Sequence, residues 1–268
     1  MSVPDLDGVL SGDEVVASAE HLARLQRPSG MIPWWPGGHC DPWNHVESAM
    51  ALDVAGFHAE AEQAYEWLAA IQRPDGAWHN YYLPDGHRDD TVEEWKLDTN
   101  VCAYIATGVW HHWRCTGDRG FVDNLWPTVE RALTFVLAQR RPDGLPRWAV
   151  EPCPDGGEGY VTPWDYALLT GTCSIQHALR CAASVGGDTG SPRPDWVEMP
   201  PDAYWRAAVD GTRAVFARSG AHPADLAAIG FGSRRKSRKA SVAPKFSRPS
   251  ASEGTGVPST GATTRSTL

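Results

Sequence analysis

Residues 59–76 read AEAEQAYEWLAAIQRPDG, and Ala77 and Trp78 follow at once. Ala61, Ala64, Tyr65, Leu68 and Ile71 recur at helical spacing, and Pro74 with Asp75-Gly76 ends the helix and turns the chain. Nearly the same words occur twice more, as Leu25-Gln26-Arg27-Pro28-Ser29-Gly30 and as Arg140-Arg141-Pro142-Asp143-Gly144. Each copy is soon followed by a tryptophan: Trp34, Trp78 and Trp148. A unit that returns in this way is a helix pair whose turn sits at one end of a stack. Helix pairs cannot bury their apolar faces alone, so they continue as a solenoid or close into a toroid.

Working outward from this repeat, the spacing predicts helices over 13–25, capped by Ser11, over 43–55, ended by Gly56, and over 59–71. Further helices are expected over 97–115, closed by Gly117, and over 120–139, 166–185 and 202–218. No stretch reads as a strand, so the fold class is all-α. Two regions follow: a helical domain over 1–229 and a tail over 230–268. The tail is rich in Ser, Thr, Pro, Gly and Arg, shows no helical period, and is expected to be disordered.

Composition removes several function classes. The chain has 268 residues and a formal net charge of −9. The tail carries +7 and the remainder −16. So acidic a body repels nucleic acid and anionic membranes and suits neutral or cationic ligands. No run of about 18 apolar residues exists, so no membrane span is expected. The first 13 residues hold acids and no apolar core, which argues against a secretory signal. Six cysteines without CxxC spacing point to reduced thiols and a cytoplasmic location. All 13 tryptophans lie between Trp34 and Trp205.

The stretch Trp67-Leu68, Gln72, Gly76, Trp78 resembles the QW-type repeat of terpenoid cyclases and protein prenyltransferases. A wider resemblance runs from Ile32 to about Val185, where the order of motifs is similar to a glucoamylase-type six-hairpin glycosidase. Trp34-Trp35-Pro36 through Cys40-Asp41 stands in the place of that family's Trp-Pro-Arg-Asp segment. "LDTNVCAYIATGVWHHWRCTGDRGFVDNLW" resembles its central helices. Pro163-Trp164-Asp165, followed by Ile175-Gln176-His177-Ala178-Leu179, resembles the segment carrying the general acid. The words "WPGGHCDPWNHVESAMALDVAG" also look like actinobacterial proteins labelled prenyltransferases, a label that rests on the toroid more than on chemistry. Six hairpins need twelve helices and about seven are legible, so the resemblance implies an incomplete toroid.

Glycosidic cleavage uses two carboxyl groups, one to protonate the leaving oxygen and one to activate water or attack. The resemblance makes Asp165 the candidate acid, with Trp164 and Tyr166 expected to desolvate it and raise its pKa. Its alternative is an N-cap for the sixth helix. Asp41 is implied as a sugar-hydroxyl ligand, with the N-cap of the second helix as its alternative. The family's adjacent Arg is Cys40 here, which removes a bidentate donor and argues against strict α-glucosidase activity. Trp43 and His45 near one helix start, and Asp98 and Asn100 near another, are expected to face the toroid mouth, or else to cap. Trp34, Trp35, Trp43, Trp78, Trp148 and Trp164 all fall in turns or first helical turns, placed to stack on a sugar ring. Trp67, in mid-helix, is read as core.

The isoprenoid alternative needs more than aromatic walls. Prenyltransferase zinc ligands sit in an Asp-x-Cys pair, whereas Asp98 and Cys102 are four apart with His111 and His112 downstream, so neither metal nor cofactor is expected. No Asp-x-Asp-Asp acid motif of the squalene-cyclase type occurs, and Asp89-Asp90, with Glu93 and Glu94, reads as a solvated charged loop. The leading expectation is a carbohydrate-active protein taking a small-molecule sugar; a prenyl-handling transferase and a non-catalytic remnant are the rivals. The tail is read as out-of-frame translation of a longer gene, which would remove the second carboxylate and leave an apolar toroid edge open to oligomerisation. Resequencing the locus tests this: an intact shifted frame encoding more hairpins supports it.

Overall fold

The computed structural model of the chain describes residues 3–154 and 156–189. Helix α1 spans Gly12–Leu25, α2 Pro42–Val54 and α3 His58–Ile71. Strands β1, Tyr81–Leu83, β2, Thr91–Glu94, and β3, Leu97–Asp98, lead into α4, Thr99–Ala103, and α5, Ile105–Thr116. Helix α6, Arg119–Ala138, then leads through β4, Ala149–Pro152, and β5, Tyr160–Trp164, to α7, Leu169–Thr189. The expected seventh helix at 202–218, the boundary at 229/230 and the tail lie outside the described residues.

The repeated turn words explain the layering. In each copy the Arg N–H donates to the carbonyl four residues on: Arg27 to Met31, Arg73 to Ala77 and Arg141 to Leu145. The glutamine before it reaches across to the next hairpin. Gln26 Nε2 donates to the Glu60 carbonyl at 2.8 Å and Gln72 Nε2 to the Thr128 carbonyl at 3.0 Å. Gly30 and Gly76 are left-handed, with φ of 101° and 90°. A Cβ at either would collide with the backbone carbonyl of Gln63 or Arg131. The first two turns therefore each seat the next outer helix, so that α1, α3 and α6 form one layer.

The inner layer is α2, α5 and α7, joined side by side. Between the layers lie Val46, Ala49 and Leu52 of α2, Ala61, Ala64 and Leu68 of α3, and Leu125, Val129 and Leu133 of α6, all buried. Ile175, Ala178 and Ala182 of α7 extend the same core. Gly108 lets α5 approach closely, because a side chain there would strike Val46 and Tyr65. At the C-terminal end of α2, the buried Asp53 carboxylate is met by His58 at 2.9 Å and His112 at 2.9 Å, with His111 at 3.8 Å. This knot ties α2, α3 and α5 together.

Three expectations are corrected. Strands are present: β1 and β2 form a hairpin, and β3, β4 and β5 a three-stranded antiparallel sheet. They are two to five residues long, too short for alternation to show in sequence. The single helix expected over 97–115 is a strand, a five-residue helix and a longer helix, with the break at Tyr104. Asp89 is not solvated but buried. Its carboxylate accepts from Arg27 Nε at 2.8 Å, Ser29 Oγ at 2.6 Å and the amides of Asp85 and Gly86. It pins the β1–β2 connection to the first repeat turn, and these donors outweigh burial and hold its carboxyl below the usual range.

Candidate functional site

Asp41 begins α2 as its N-cap, accepting from the Asn44 amide at 3.0 Å. Its second oxygen accepts from Trp34 Nε1 at 2.6 Å and Asn44 Nδ2 at 2.8 Å. The capping alternative is therefore realised, and it fixes the Trp34 ring beside the carboxylate. Cys40, where the resemblance places an arginine, is fully buried. It is tied to Tyr82 by a reciprocal pair of backbone bonds of 2.9 Å.

Tyr81 is the centre that sequence reasoning missed. Burial and four neighbouring carboxyl groups, Asp41, Glu94, Glu93 and Asp98, push its phenol above the ordinary value. His39 stacks on Tyr81 with ring centres 4.5 Å apart and bonds Glu93 at 2.8 Å. Trp34 and Trp35 stand at right angles or tilted to His39, at 4.8 and 5.0 Å. Both indoles are about half exposed. Aromatic faces and carboxylate acceptors thus converge at the N-terminal end of the inner helix α2.

Asp98 ends β3 and caps α4, its Oδ1 accepting from the amides of Asn100 at 2.9 Å and Val101 at 3.3 Å. Burial pushes its carboxyl up to about 6, against the opposing pull of those amides, Lys96 and Trp148. Lys96 Nζ lies over Trp148 at 4.9 Å and Trp164 at 5.7 Å and pairs with Glu94 at 3.3 Å. The side-chain oxygen of Asn100 is buried without a hydrogen-bond partner. Asp98, Ala149 and Trp164 lie in one row across β3, β4 and β5.

Asp165 follows that row directly. The burial expected from Trp164 and Tyr166 is not found: the carboxylate is 62% exposed and pairs with Arg147 Nε at 2.8 Å. Nor does it cap α7, which begins four residues later. His45 is also misplaced by the sequence reading, since it lies in the core rather than at the mouth. Its Nδ1 accepts from the Ile32 amide at 3.2 Å and its Nε2 donates to the Ala64 carbonyl at 2.9 Å. Burial drives its pKa down to about 4, so the ring is a neutral structural link. Trp78 is core too, bonded to the Leu68 carbonyl, as is Trp67, read as core from its mid-helix position. Trp43 is half-buried, stacked on Tyr104 at 3.6 Å.

Cys102, weighed as a metal ligand, is buried against the Trp78 backbone. Among the described residues no three His, Cys, Asp or Glu side chains are grouped to hold a metal ion, and no helix is long and apolar enough to cross a membrane.

No family model matches the chain. It is 44% identical over 195 residues to the MMP endo-(1,4)-3-O-methyl-α-D-mannosidase of Mycolicibacterium hassiacum, a match covering 73% of this chain and 51% of that protein. A shorter match, 32% over 89 residues, joins it to an uncharacterised glycosyl hydrolase of Methanocaldococcus jannaschii, covering 33% of this chain and 14% of that one. The chain thus spans at most about half the length of the curated relatives it matches. Among solved structures, a glycosidase variant in complex with glucose superposes with a TM-score of 0.51 at 15% identity, over 78% of this chain and 57% of its own. The fold is a glycosidase fold. It is mostly helical, with toroid glycosidases as its structural neighbours, as the hairpin repeat predicts. These relatives lend the prenyltransferase reading no support.

Proposed function

We propose that the chain carries part of the active site of a glycoside hydrolase acting on α-mannosides, including 3-O-methylated ones. The convergence of Asp41, Glu93, Glu94 and Asp98 on Tyr81, beside the exposed indoles of Trp34 and Trp35, carries this reading. Carboxylates accept sugar hydroxyls while indole faces cover the apolar side of the ring. An isoprenoid chain has no hydroxyls to offer those acceptors. The mannosidase relative supplies the substrate class.

Within this reading the two catalytic carboxyls are Asp98 and Asp165. Asp98 keeps its proton to about pH 6 and suits the donor to the leaving oxygen better than Asp165, the donor implied by sequence. The exposed Asp165 is then the carboxylate that meets water, aimed by Arg147. Asp98 ends β3 and Asp165 follows the end of β5, and these two strands lie on either side of β4, roughly 10 Å apart at two strand spacings. Trp35, Trp43, Trp164, Asn100 and Asp41 act as the sugar-binding walls. Hydrolysis of (1→4)-α-mannoside oligomers by the chain, Asp98→Asn and Asp165→Asn tests the assignment. Each variant is expected to lose at least about 100-fold in rate. Undiminished hydrolysis in one variant sinks that residue's role, and a thermal shift with a prenyl diphosphate but none with any mannoside sinks the function. The commitment of Asp41 and Asp98 to helix caps favours a second reading, binding without hydrolysis. Ligand binding with no turnover by the wild-type chain is its signature.

A further inference from the structure

We propose that Lys96 is a positioning residue of this site: its ammonium, caged by two indoles, governs how readily Asp98 gives up its proton. The proposal rests on the reading of Asp98 as proton donor and deepens it.

Three contacts fix the ammonium. Nζ lies over the rings of Trp148 and Trp164, at 4.9 and 5.7 Å, and pairs with Glu94 Oε1 at 3.3 Å. Glu94 is itself held, since its Oε2 accepts from Asn80 Nδ2 at 2.6 Å, while the Asn80 amide donates to the Lys96 carbonyl at 2.8 Å. The lysine side chain is only 13% exposed, so water and salt screen its charge weakly.

The same indoles bring Asp98 to the cage. The Trp148 side chain reaches the Asp98 carboxyl, and Trp164 lies in its row across β3, β4 and β5. Of the other groups that face Asp98, the Tyr81 phenol on β1 and the Cys102 thiol on α4 are pushed up by burial and stay neutral. Arg147, beside Trp148 in the chain, is committed to Asp165, and Glu94 on β2 is the counter-charge of the ammonium. Among the described residues the largest charge effect on Asp98 is that of Lys96, and it favours the carboxylate.

That pull acts at the moment of transfer. The proton passes from Asp98 to the leaving oxygen as the glycosidic C–O bond breaks, and the attacking water loses its proton to Asp165. Asp98 is left as a buried carboxylate, which is costly without a partner. The fixed ammonium meets that charge with no rearrangement, and it neither gains nor loses a proton. Glu94 limits the pull, so Asp98 still holds its proton to about pH 6.

The test follows the Asp98 proton directly. Carboxyl-carbon NMR titration of the full chain compares the wild type with Lys96→Met and Lys96→Arg, the Asp98 resonance being assigned by its loss in Asp98→Asn. Methionine keeps an apolar stem over the indoles without the charge, whereas arginine keeps the charge. The Asp98 midpoint is expected to rise by at least about half a pH unit in Lys96→Met. In Lys96→Arg it is expected to stay near the wild-type value. The alkaline limb of kcat/KM for an α-mannoside oligomer should move up with it in Lys96→Met, while the plateau falls. In the unmutated chain the Lys96 Nζ resonance should shift with the same midpoint as Asp98. An unmoved Asp98 midpoint in folded Lys96→Met overturns the proposal, and so does an Nζ resonance blind to that midpoint. A midpoint as high in Lys96→Arg as in Lys96→Met also overturns it, since charge is then not the cause. Shifted midpoints with no hydrolysis by any of the chains uphold the coupling and remove only the reading of Asp98 as donor.

Discussion

Single residues here serve two roles at once. Asp98 caps a helix and also holds a proton where carboxyl groups ordinarily release theirs, near pH 3.9. Its folded pKa of about 6 lies above the unfolded value, so the fold disfavours its charge. Below about pH 4 the group is neutral in both states and costs nothing. As pH rises from 4 to 6 the unfolded chain alone loses the proton, and stability falls. Asp98→Asn keeps a capping oxygen. It should therefore stabilise the protein by on the order of 2–3 kcal/mol at pH 7.5 and by almost nothing at pH 4, as measured by urea unfolding at the two values. Equal effects at both would show that the charge is not the cause. At this scale the sequence was partly legible. Asp41 and Asp98 stand at helix starts where their spacing put them. His45 did not announce its burial, because its partners are the carbonyl of Ala64 and the amide of Ile32, and backbone groups leave no trace in side-chain patterns. Tyr81 and Glu93 were hidden for a related reason: a strand of three or four residues has no period to read.

Elements were far easier to read than sites. Five of the expected helices are present as single helices, with ends within a few residues, because Pro, Gly and capping residues punctuate them, while the one over 97–115 is broken at Tyr104. The repeat also tells which glycines matter. Gly76→Ala must both adopt a left-handed backbone and push against the Arg131 carbonyl. Gly144→Ala faces only the first cost, since nothing described lies within 4 Å of its added carbon. The left-handed term is worth about 1–2 kcal/mol, so thermal unfolding should show Gly76→Ala losing at least twice as much stability as Gly144→Ala. Similar losses would mean that the turn does not seat the next helix as described. The third copy differs in a second way: Arg140 replaces the bridging glutamine and bonds back to the Leu137 carbonyl on its own helix. The tryptophans that follow the three turns go separate ways, Trp34 to the rim, Trp78 to the core and Trp148 beside Asp98. Position in a repeat fixes the turn, while the tertiary neighbourhood decides each aromatic's use.

For the molecule as a whole, acid tolerance depends on the knot at the far end of α2. Burial would raise the Asp53 carboxyl, but its bonds to His111, His112 and His58 prevail and hold it down to about 2. A depressed carboxyl contributes stability above about pH 4 and loses it as pH falls toward 2. Asp53→Asn removes one partner of a buried charged network, so it should cost on the order of 3 kcal/mol at neutral pH. It should also flatten the acid limb of the stability curve between pH 4 and 2, checked by circular dichroism during acid titration. An unchanged acid limb would place the loss elsewhere. The knot and Asp41 hold α2 at both ends, which leaves the mouth on a rigid strut. The glutamine-and-glycine turns have a different consequence, in time rather than space. Each turn completes a seat for an outer helix that lies 34 or 56 residues further along the chain. During synthesis the first hairpin can therefore be finished before the next leaves the ribosome, and every arriving helix meets a template already built.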